Sequence, residues 1–313
     1  MPARTAESGC PNVRKYGFHI FDGGNSMKQA VVILAIISFA VLAGAQTAGQ
    51  PAQQNPPATG QAAPAATVKR PPQLKTKPEQ DAYNAVMANT DAAALEKAAS
   101  DFAVKFPDSE VRVLLFKNAM RAYINSNNAE KTEAMGRKVL SCDPDDPEAL
   151  IEVALVVSER TRDTDIDKDQ SFGEAISMAQ KGLQTLETDL SVPAGTPQDK
   201  IDTYKAQMRS QAYSIIGAID YKKDNYVAAQ ENLQKSIDAY PSDPAPVDVL
   251  RLALALDKQQ KYPEALKWAN RAVEMTQENT VIGTPARSER DRLQALTGGA
   301  APAPAQPQTP PKN

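Results

Sequence analysis

Residues 213–241, YSIIGAIDYKKDNYVAAQENLQKSIDAYP, read as two short helices joined by a polar turn. Apolar residues recur at helical spacing before the turn and again after it, so each helix has one apolar face. Asp224 and Asn225 interrupt the pattern between the helices, and Pro241 ends the second helix. Small residues such as Gly217 stand where the helices have to touch. The stretch therefore predicts a closely packed helix pair.

The same pattern recurs along the chain. Tyr226 and Ala229 are matched by Tyr262 and Ala265, each 36 residues further on. Three earlier segments have the same order of apolar, small and turn-forming residues. Recurrence at this interval is typical of stacked helix pairs. We therefore predict five helix pairs followed by one capping helix, at residues 78–111, 113–146, 147–188, 199–243, 246–279 and 285–296.

In this pattern the chain resembles the tetratricopeptide repeat family. The family's order of aromatic, apolar-Gly, Ala, apolar and Pro positions is met by Tyr213, Ile216-Gly217, Ala229, Leu233 and Pro241. Asp220 departs from the pattern, because the family usually carries an aromatic residue there. The resemblance implies an all-α, right-handed superhelical solenoid that holds another protein or a peptide.

Three features of the sequence depart from a regular array of repeats. About nine residues are inserted in the third pair, within residues 160–170, and the first helix of the fourth pair is about twice the normal length. The capping helix has Thr284 as its expected N-cap, Pro285 in its first turn and Gly298 after its end. A polar terminal helix of this kind closes the stacking face of a solenoid.

Composition and charge exclude several classes of function. The chain has 313 residues, a net charge of −3 and a pI near 5.5, so it lacks the basic excess of nucleic-acid-binding proteins. His19 and Cys10 both lie in the first 26 residues. A mature chain without them has no histidine and only Cys142, which excludes Ser-His-Asp and Cys-His catalysis, His-ligated metals and an internal disulfide.

Carboxylates are the remaining candidates for chemistry. Asp145 with Asp146, and Asp220 with Asp224, leave a carboxylate-based hydrolase open as an alternative. No spacing separates these pairs from ordinary surface charge, so we predict a binding protein without a cofactor, not an enzyme.

The inserted segment DTDIDKDQSFGE resembles the calcium loop of the helix-loop-helix family. Asp163, Asp165, Asp167 and Glu174 match its ligand positions. Lys168 stands where that family places the glycine of a sharp turn. We therefore favour a solvated loop, and a calcium-binding structural module is the alternative.

Residues 27–45 have the three parts of a secretory signal. Met27 and Lys28 form a positive start, residues 30–42 are apolar, and residues 43–45 are a small-x-small cleavage site. The apolar run is shorter than the roughly 20 residues that a spanning helix needs. This predicts cleavage before Gln46, only transient membrane contact, and export to the periplasm or the medium. An uncleaved inner-membrane anchor is the alternative.

The remaining segments have no pattern of a packed core. Residues 1–26 are polar and precede a well-formed signal, so we expect translation to begin at Met27 and residues 1–26 to be absent from the mature protein. Residues 46–77 and 298–313 are rich in Pro, Ala and Gln, which predicts a disordered linker and a disordered tail.

The resemblance also predicts a binding surface. In the repeat family, one flank of each first helix faces a concave groove, which here is apolar with a basic edge and suits an extended or helical peptide. We expect an adaptor or scaffold in cell-envelope assembly. The alternative is that the long helix or a tail covers the flank. The predicted groove residues are Lys117, Arg121, Asn125, Ile151, Leu155, Ser214, Ala218, Tyr221, Leu250 and Leu254.

Overall fold

The computed structural model describes residues 69–193 and 195–298. The predicted extension at 1–26, the signal at 27–45, most of the linker at 46–77 and nearly all of the tail lie outside the described residues. Within the described part, the chain forms helices and no strand. The helices are α1 (Lys77–Met87), α2 (Ala92–Lys105), α3 (Arg112–Asn125), α4 (Ala129–Cys142), α5 (Pro147–Arg160), α6 (Lys168–Thr185), α7 (Gln198–Lys222), α8 (Tyr226–Ala239), α9 (Pro246–Lys258), α10 (Tyr262–Glu274) and α11 (Gly283–Leu296).

The helices pack in chain order, each against the next, from α1 on α2 to α10 on α11. Ten of them form the five predicted pairs, and α11 packs on α10 at the end. The prediction of an all-α solenoid is therefore confirmed. The long first helix of the fourth pair is also present, because α7 has 25 residues.

The first helix of each pair lies on the inner side of the array. The substantial contacts between next-but-one helices join α1 to α3, α5 to α7 and α7 to α9, which are all first helices. At these three steps neighbouring first helices are closer together than neighbouring second helices, so the array curves towards its first helices there. We call the surface that they line the inner face.

Glycines bring the helices close together. A Cβ atom added to Gly217 of α7 would lie 2.8 Å from Cγ of Leu233 in α8. A Cβ atom added to Gly182 of α6 would lie 2.7 Å from Cγ1 of Ile151 in α5. Any larger residue at either position has to displace the facing side chain or part the helices.

Two predicted boundaries are wrong. Thr284 is not the N-cap of the last helix, since α11 already begins at Gly283 and the Thr284 hydroxyl donates to the carbonyl of Glu278, 3.0 Å away. Gly298 does follow that helix, with a φ of 70°. The predicted linker also ends too late, because residues 69–76 already lie against the first three helix pairs. Ionic contacts, the packing of Leu74 on the core and the capping of α1 by Thr76 hold this segment, and composition does not report such contacts.

Candidate functional site

One stripe of side chains on α5, the first helix of the third pair, stays partly open while most of the helix is covered. On α5, ten of 14 residues are buried. Among the four that remain, Glu152, Leu155 and Glu159 share one face at steps of three and four residues. The corresponding positions are half-buried or exposed on α3, 34 residues before, on α7, where Ala218 follows Leu155 by 63 residues, and on α9, 36 residues after α7. They include Asn118, Arg121 and Asn125 on α3, Gln211, Ala218 and Lys222 on α7, and Val247, Leu254 and Lys258 on α9.

An apolar row crosses the middle of the inner face. Leu155, Ala218 and Leu254 occupy equivalent positions on α5, α7 and α9. All three are half-buried, and the two leucines also pack against the core below. On α5 and α7, polar or charged residues flank this row on both sides, and on α9 Lys258 lies on one side and Val247 on the other. The inner face therefore combines an apolar centre with polar edges.

A buried ion cluster joins the second helix pair to the third. The Lys117 ammonium group of α3 contacts the Asp146 carboxylate, and its Nζ lies 3.6 Å from Oε2 of Glu148. Arg121 donates from Nε and from one terminal nitrogen to the two carboxylate oxygens of Glu148, at 2.5 and 2.6 Å. Asp146 also caps α5, because its Oδ1 accepts from the Ala149 amide at 2.9 Å. The cluster thus connects α3 directly to the start of α5.

The two acidic members of this cluster respond differently to burial. Burial raises the pKa of Asp146, and the contact with Lys117 only partly offsets this effect. Burial also acts to raise the pKa of Glu148, but its ion pairs with Arg121 and Lys117 outweigh burial and bring the value to about 2. Glu148 is therefore ionised at neutral pH, and Arg121 supplies its counter-charge.

Glu152 lies between α5 and α7 with a neutral partner. Nε2 of Gln211 in α7 donates to Oε1 of Glu152 at 3.1 Å. In the described part of the chain, no lysine or arginine nitrogen lies within 4 Å of this carboxylate. Burial raises the pKa of Glu152 to about 7, although the Gln211 hydrogen bond acts in the opposite direction. Glu152 is therefore a group on the inner face that changes charge near neutral pH.

This pKa predicts a pH-dependent stability. The pKa of Glu152 in the unfolded chain is about 4.3, so between roughly pH 4 and 7 the folded protein binds more protons and its stability falls as pH rises. Glu152→Gln removes this loss and keeps an acceptor for Gln211. We expect the variant to be more stable than the wild type at pH 8 by about 1–3 kcal/mol, and equally stable at pH 4.

Urea unfolding at several pH values measures this difference. Glu231→Gln is the matched control, because Glu231 is exposed on α8 and makes no ion pair in the described part of the chain. The control should follow the wild type at every pH. An equal gain from Glu152→Gln at pH 4 and pH 8 would contradict the assigned titration.

Hydroxyl groups hold another buried carboxylate where α7 meets α9. Asp248 of α9 accepts hydrogen bonds from Ser214 of α7 and Ser236 of α8, each at 2.7 Å, and Nη1 of Arg251 lies 3.5 Å from its Oδ1. Burial raises the pKa of Asp248, and the opposing effect of these partners is smaller than the effect of burial. Ser214 is therefore engaged in packing the fourth pair on the fifth.

The structure corrects three of the predicted groove residues. Lys117 is 2% exposed, Ile151 0% and Leu250 2%, so none of them is open to a ligand. Lys117 is held in the ion cluster, Ile151 packs on the bare backbone at Gly182, and Leu250 is part of the core around α9. Asn125 is exposed, and six further predicted residues are half-buried: Arg121, Leu155, Ser214, Ala218, Tyr221 and Leu254.

The predicted calcium ligands do not converge. Asp163, Asp165 and Asp167 lie in the loop between α5 and α6, whereas Glu174 lies within α6 and pairs with Nη1 of Arg137 at 2.8 Å. Among the described residues, no group of three or more His, Cys, Asp or Glu side chains could hold a metal ion.

The candidate carboxylate pairs have separate partners. Asp145 pairs with Lys181 and Asp146 with Lys117. Asp220 accepts from Nδ2 of Asn232 at 2.9 Å, and Asp224 accepts from the hydroxyl of Tyr226 at 2.5 Å. Each carboxylate is bound to a different group, so neither pair forms a dyad of facing acids.

Sequence reasoning missed several polar residues on and beneath the inner face. Glu148 and Gln211 gave no signal of their own, because their partners are on other helices. Glu152 did give a signal, as the only polar residue in ALIEVALVV. A lone acid in an almost wholly apolar helix indicates an open side on an otherwise covered helix.

Comparisons with known proteins add little to this geometry. No protein-family model and no curated protein matches the chain. Among solved structures the chain is similar to an assembly chaperone of RpL4, Acl4 (residues 1–338), at 12% identity and a TM-score of 0.37, over 70% of this chain and 98% of that one. In the part of this chain that the structure describes, no helix is long and apolar enough to cross a bilayer. A likeness at this level assigns no function.

Proposed function

We propose that the chain is an exported adaptor of the tetratricopeptide repeat type, which holds an extended or helical segment of another protein along its inner face. The observation that carries this proposal is the open stripe on α5, where only one side of a helix covered everywhere else is left accessible. The apolar row formed by Leu155, Ala218 and Leu254 continues this opening across three helices. A peptide crossing the first helices would bury its apolar side chains on that row.

The polar edges of the row suit a binding surface. Peptide sites need a few polar groups that fix the ligand beside the apolar contact. Asn125, Gln211 and Lys258 offer such groups to a partner, and Arg121 remains partly open although it binds Glu148. We propose that the partner is a protein of the cell envelope, because residues 27–45 have the sequence of an export signal.

A substitution on the apolar row tests the binding site. Ala218→Arg places a long charged side chain in the middle of the row, so we expect loss of partner capture from envelope extract. Arginine is a good helix former, so folding should be retained. Val227→Arg is the matched control, because Val227 is 61% exposed on the second helix of the same pair. Equal capture by the two variants would contradict the proposal.

A reporter fusion tests export separately. Alkaline phosphatase joined after Gln46 should be active in cells, because the enzyme folds to its active form only outside the cytoplasm. Inactive fusion protein would exclude the export signal and leave the binding site untested, so the two experiments fail independently.

A further inference from the structure

Residues 69–76, which we call the strap, lie across the ends of three helix pairs. The backbone N–H of Lys69 donates to the carbonyl of Thr188 at 3.0 Å, and the Lys69 ammonium group contacts Asp143 and lies 3.7 Å from Asp189. The Arg70 guanidinium group donates to both carboxylate oxygens of Glu110, at 2.8 and 2.9 Å. These contacts bind the first two residues of the strap to the helix pairs.

A third contact strengthens the middle of the strap. The Gln73 amide donates to Oε2 of Glu110 at 3.2 Å, and Nζ of Lys75 lies 3.5 Å from Oε1 of the same residue. The hydrogen bonds from Arg70 and Gln73 lower the pKa of Glu110 to about 2. Glu110 is therefore ionised over the whole physiological pH range and holds the strap by charge.

The three acids that bind the strap belong to three different helix pairs. Glu110 lies between α2 and α3, Asp143 directly follows α4, and Asp189 follows α6. The strap therefore touches the turn after the second helix in each of the first three pairs. In a solenoid, each pair packs on its neighbours alone. The strap adds a connection that runs from the first pair to the third.

The strap also covers the buried ion cluster. Lys69, Arg70 and Pro72 line a small cavity together with Lys117 and Asp146, the pair that joins α3 to α5. Removal of the strap would bring water towards these charges. Consecutive prolines at 71 and 72 favour an extended backbone before docking and reduce the entropy lost on docking.

We propose that residues 69–73 of the strap dock and undock as one ionic unit, whereas Leu74 stays packed on the core and Thr76 caps α1. The docked state fixes the third helix pair relative to the first two. The Lys69 and Arg70 side chains are 43% and 68% exposed, so salt screens their attraction to the three acids. The strap is thus an ionic latch whose closure depends on the surrounding ion concentration. This inference is independent of the proposed partner and of export.

Hydrogen–deuterium exchange of the full chain tests the latch. The variant Lys69→Glu/Arg70→Glu places negative charge against Asp143, Asp189 and Glu110. We expect amides of residues 186–193 and 143–151 to exchange about 3–10 times faster than in the wild type. In the wild type, 1 M NaCl should have the same effect at the same residues.

Two further variants separate the latch from general charge effects. Arg70→Glu with Glu110→Arg exchanges the charges of one contact and should restore slow exchange relative to Arg70→Glu alone. Lys97→Glu breaks an exposed ion pair with Asp101 on α2 and should leave residues 186–193 unchanged. Unchanged exchange at 186–193 in the double variant, or faster exchange that extends equally to α9 and α10, would overturn the proposal.

Discussion

Replacing Lys117 by methionine is expected to lower the free energy of unfolding by about 3–5 kcal/mol at pH 8. Methionine fills a similar volume, but the variant leaves the carboxylates of Asp146 and Glu148 with one cation, Arg121. Both acids are buried, at 1% and 4% exposure, so water does not replace the lost charge. Asp146 will take up a proton more readily in the variant, and the destabilisation should therefore be smaller at pH 5.

Two comparisons identify the cause of that loss. Adding Asp146→Asn to Lys117→Met removes the unpaired charge and keeps a side-chain oxygen for the cap of α5, so stability should largely return. Lys131→Met breaks an ion pair with Glu96 in which the lysine side chain is 44% exposed, and should cost no more than about 1 kcal/mol. Chemical unfolding measures all four proteins. A cost below about 1 kcal/mol for Lys117→Met would show that the pair is solvated in solution.

Gly217→Leu is expected to cost about 1–3 kcal/mol or more, because the new side chain meets Leu233 across the closest approach of α7 and α8. The added Cβ alone would lie 3.0 Å from the backbone nitrogen of Leu233, which cannot move aside without the helix. The two helices must part, and the core of the fourth pair opens with them. Thermal unfolding should show a lower Tm.

A second glycine provides the matched control. Gly173 lies inside α6, is exposed, and has no atom within 4 Å of an added Cβ. Gly173→Leu therefore reports helix propensity alone and should stabilise the protein by up to about 1 kcal/mol. If Gly217→Leu and Gly173→Leu shift the Tm in the same direction, the close contact between Gly217 and Leu233 does not explain the effect of Gly217→Leu.

Local patterns in the sequence were sufficient to predict the helices and their order. Residues 213–241 contain the end of α7 and all of α8, which ends at Ala239, before Pro241. Apolar spacing, small residues and prolines act within one or two turns, so a single sequence reports them. The same information predicted the half-buried side chains of Leu155, Ala218 and Leu254 on one side of the first helices. Their function stays a proposal.

The groove residues that were predicted wrongly lie on helices that have more packing neighbours than the sequence indicated. Ile151 was assigned to an open flank because it lies beside the main apolar stripe of α5. In the structure α5 is enclosed by α4, α6 and α7, and Ile151 packs where Gly182 leaves room. Helical periodicity describes one helix at a time and does not count its neighbours.

Ion pairs between residues far apart in the chain could not be predicted from the sequence either. Lys117 and Asp146 are 29 residues apart, and Arg70 and Glu110 are 40 residues apart. Each of these residues is an ordinary surface charge in the sequence. Only the stacked helices bring them together and bury Lys117, which was predicted to form a basic edge.

The double use of Asp146 has a consequence for partial unfolding. One oxygen starts α5 and the other holds Lys117 of the preceding pair, so neither helix pair keeps its full set of bonds without the other. Unravelling from the N-terminal end should therefore release the second and third pairs in one step.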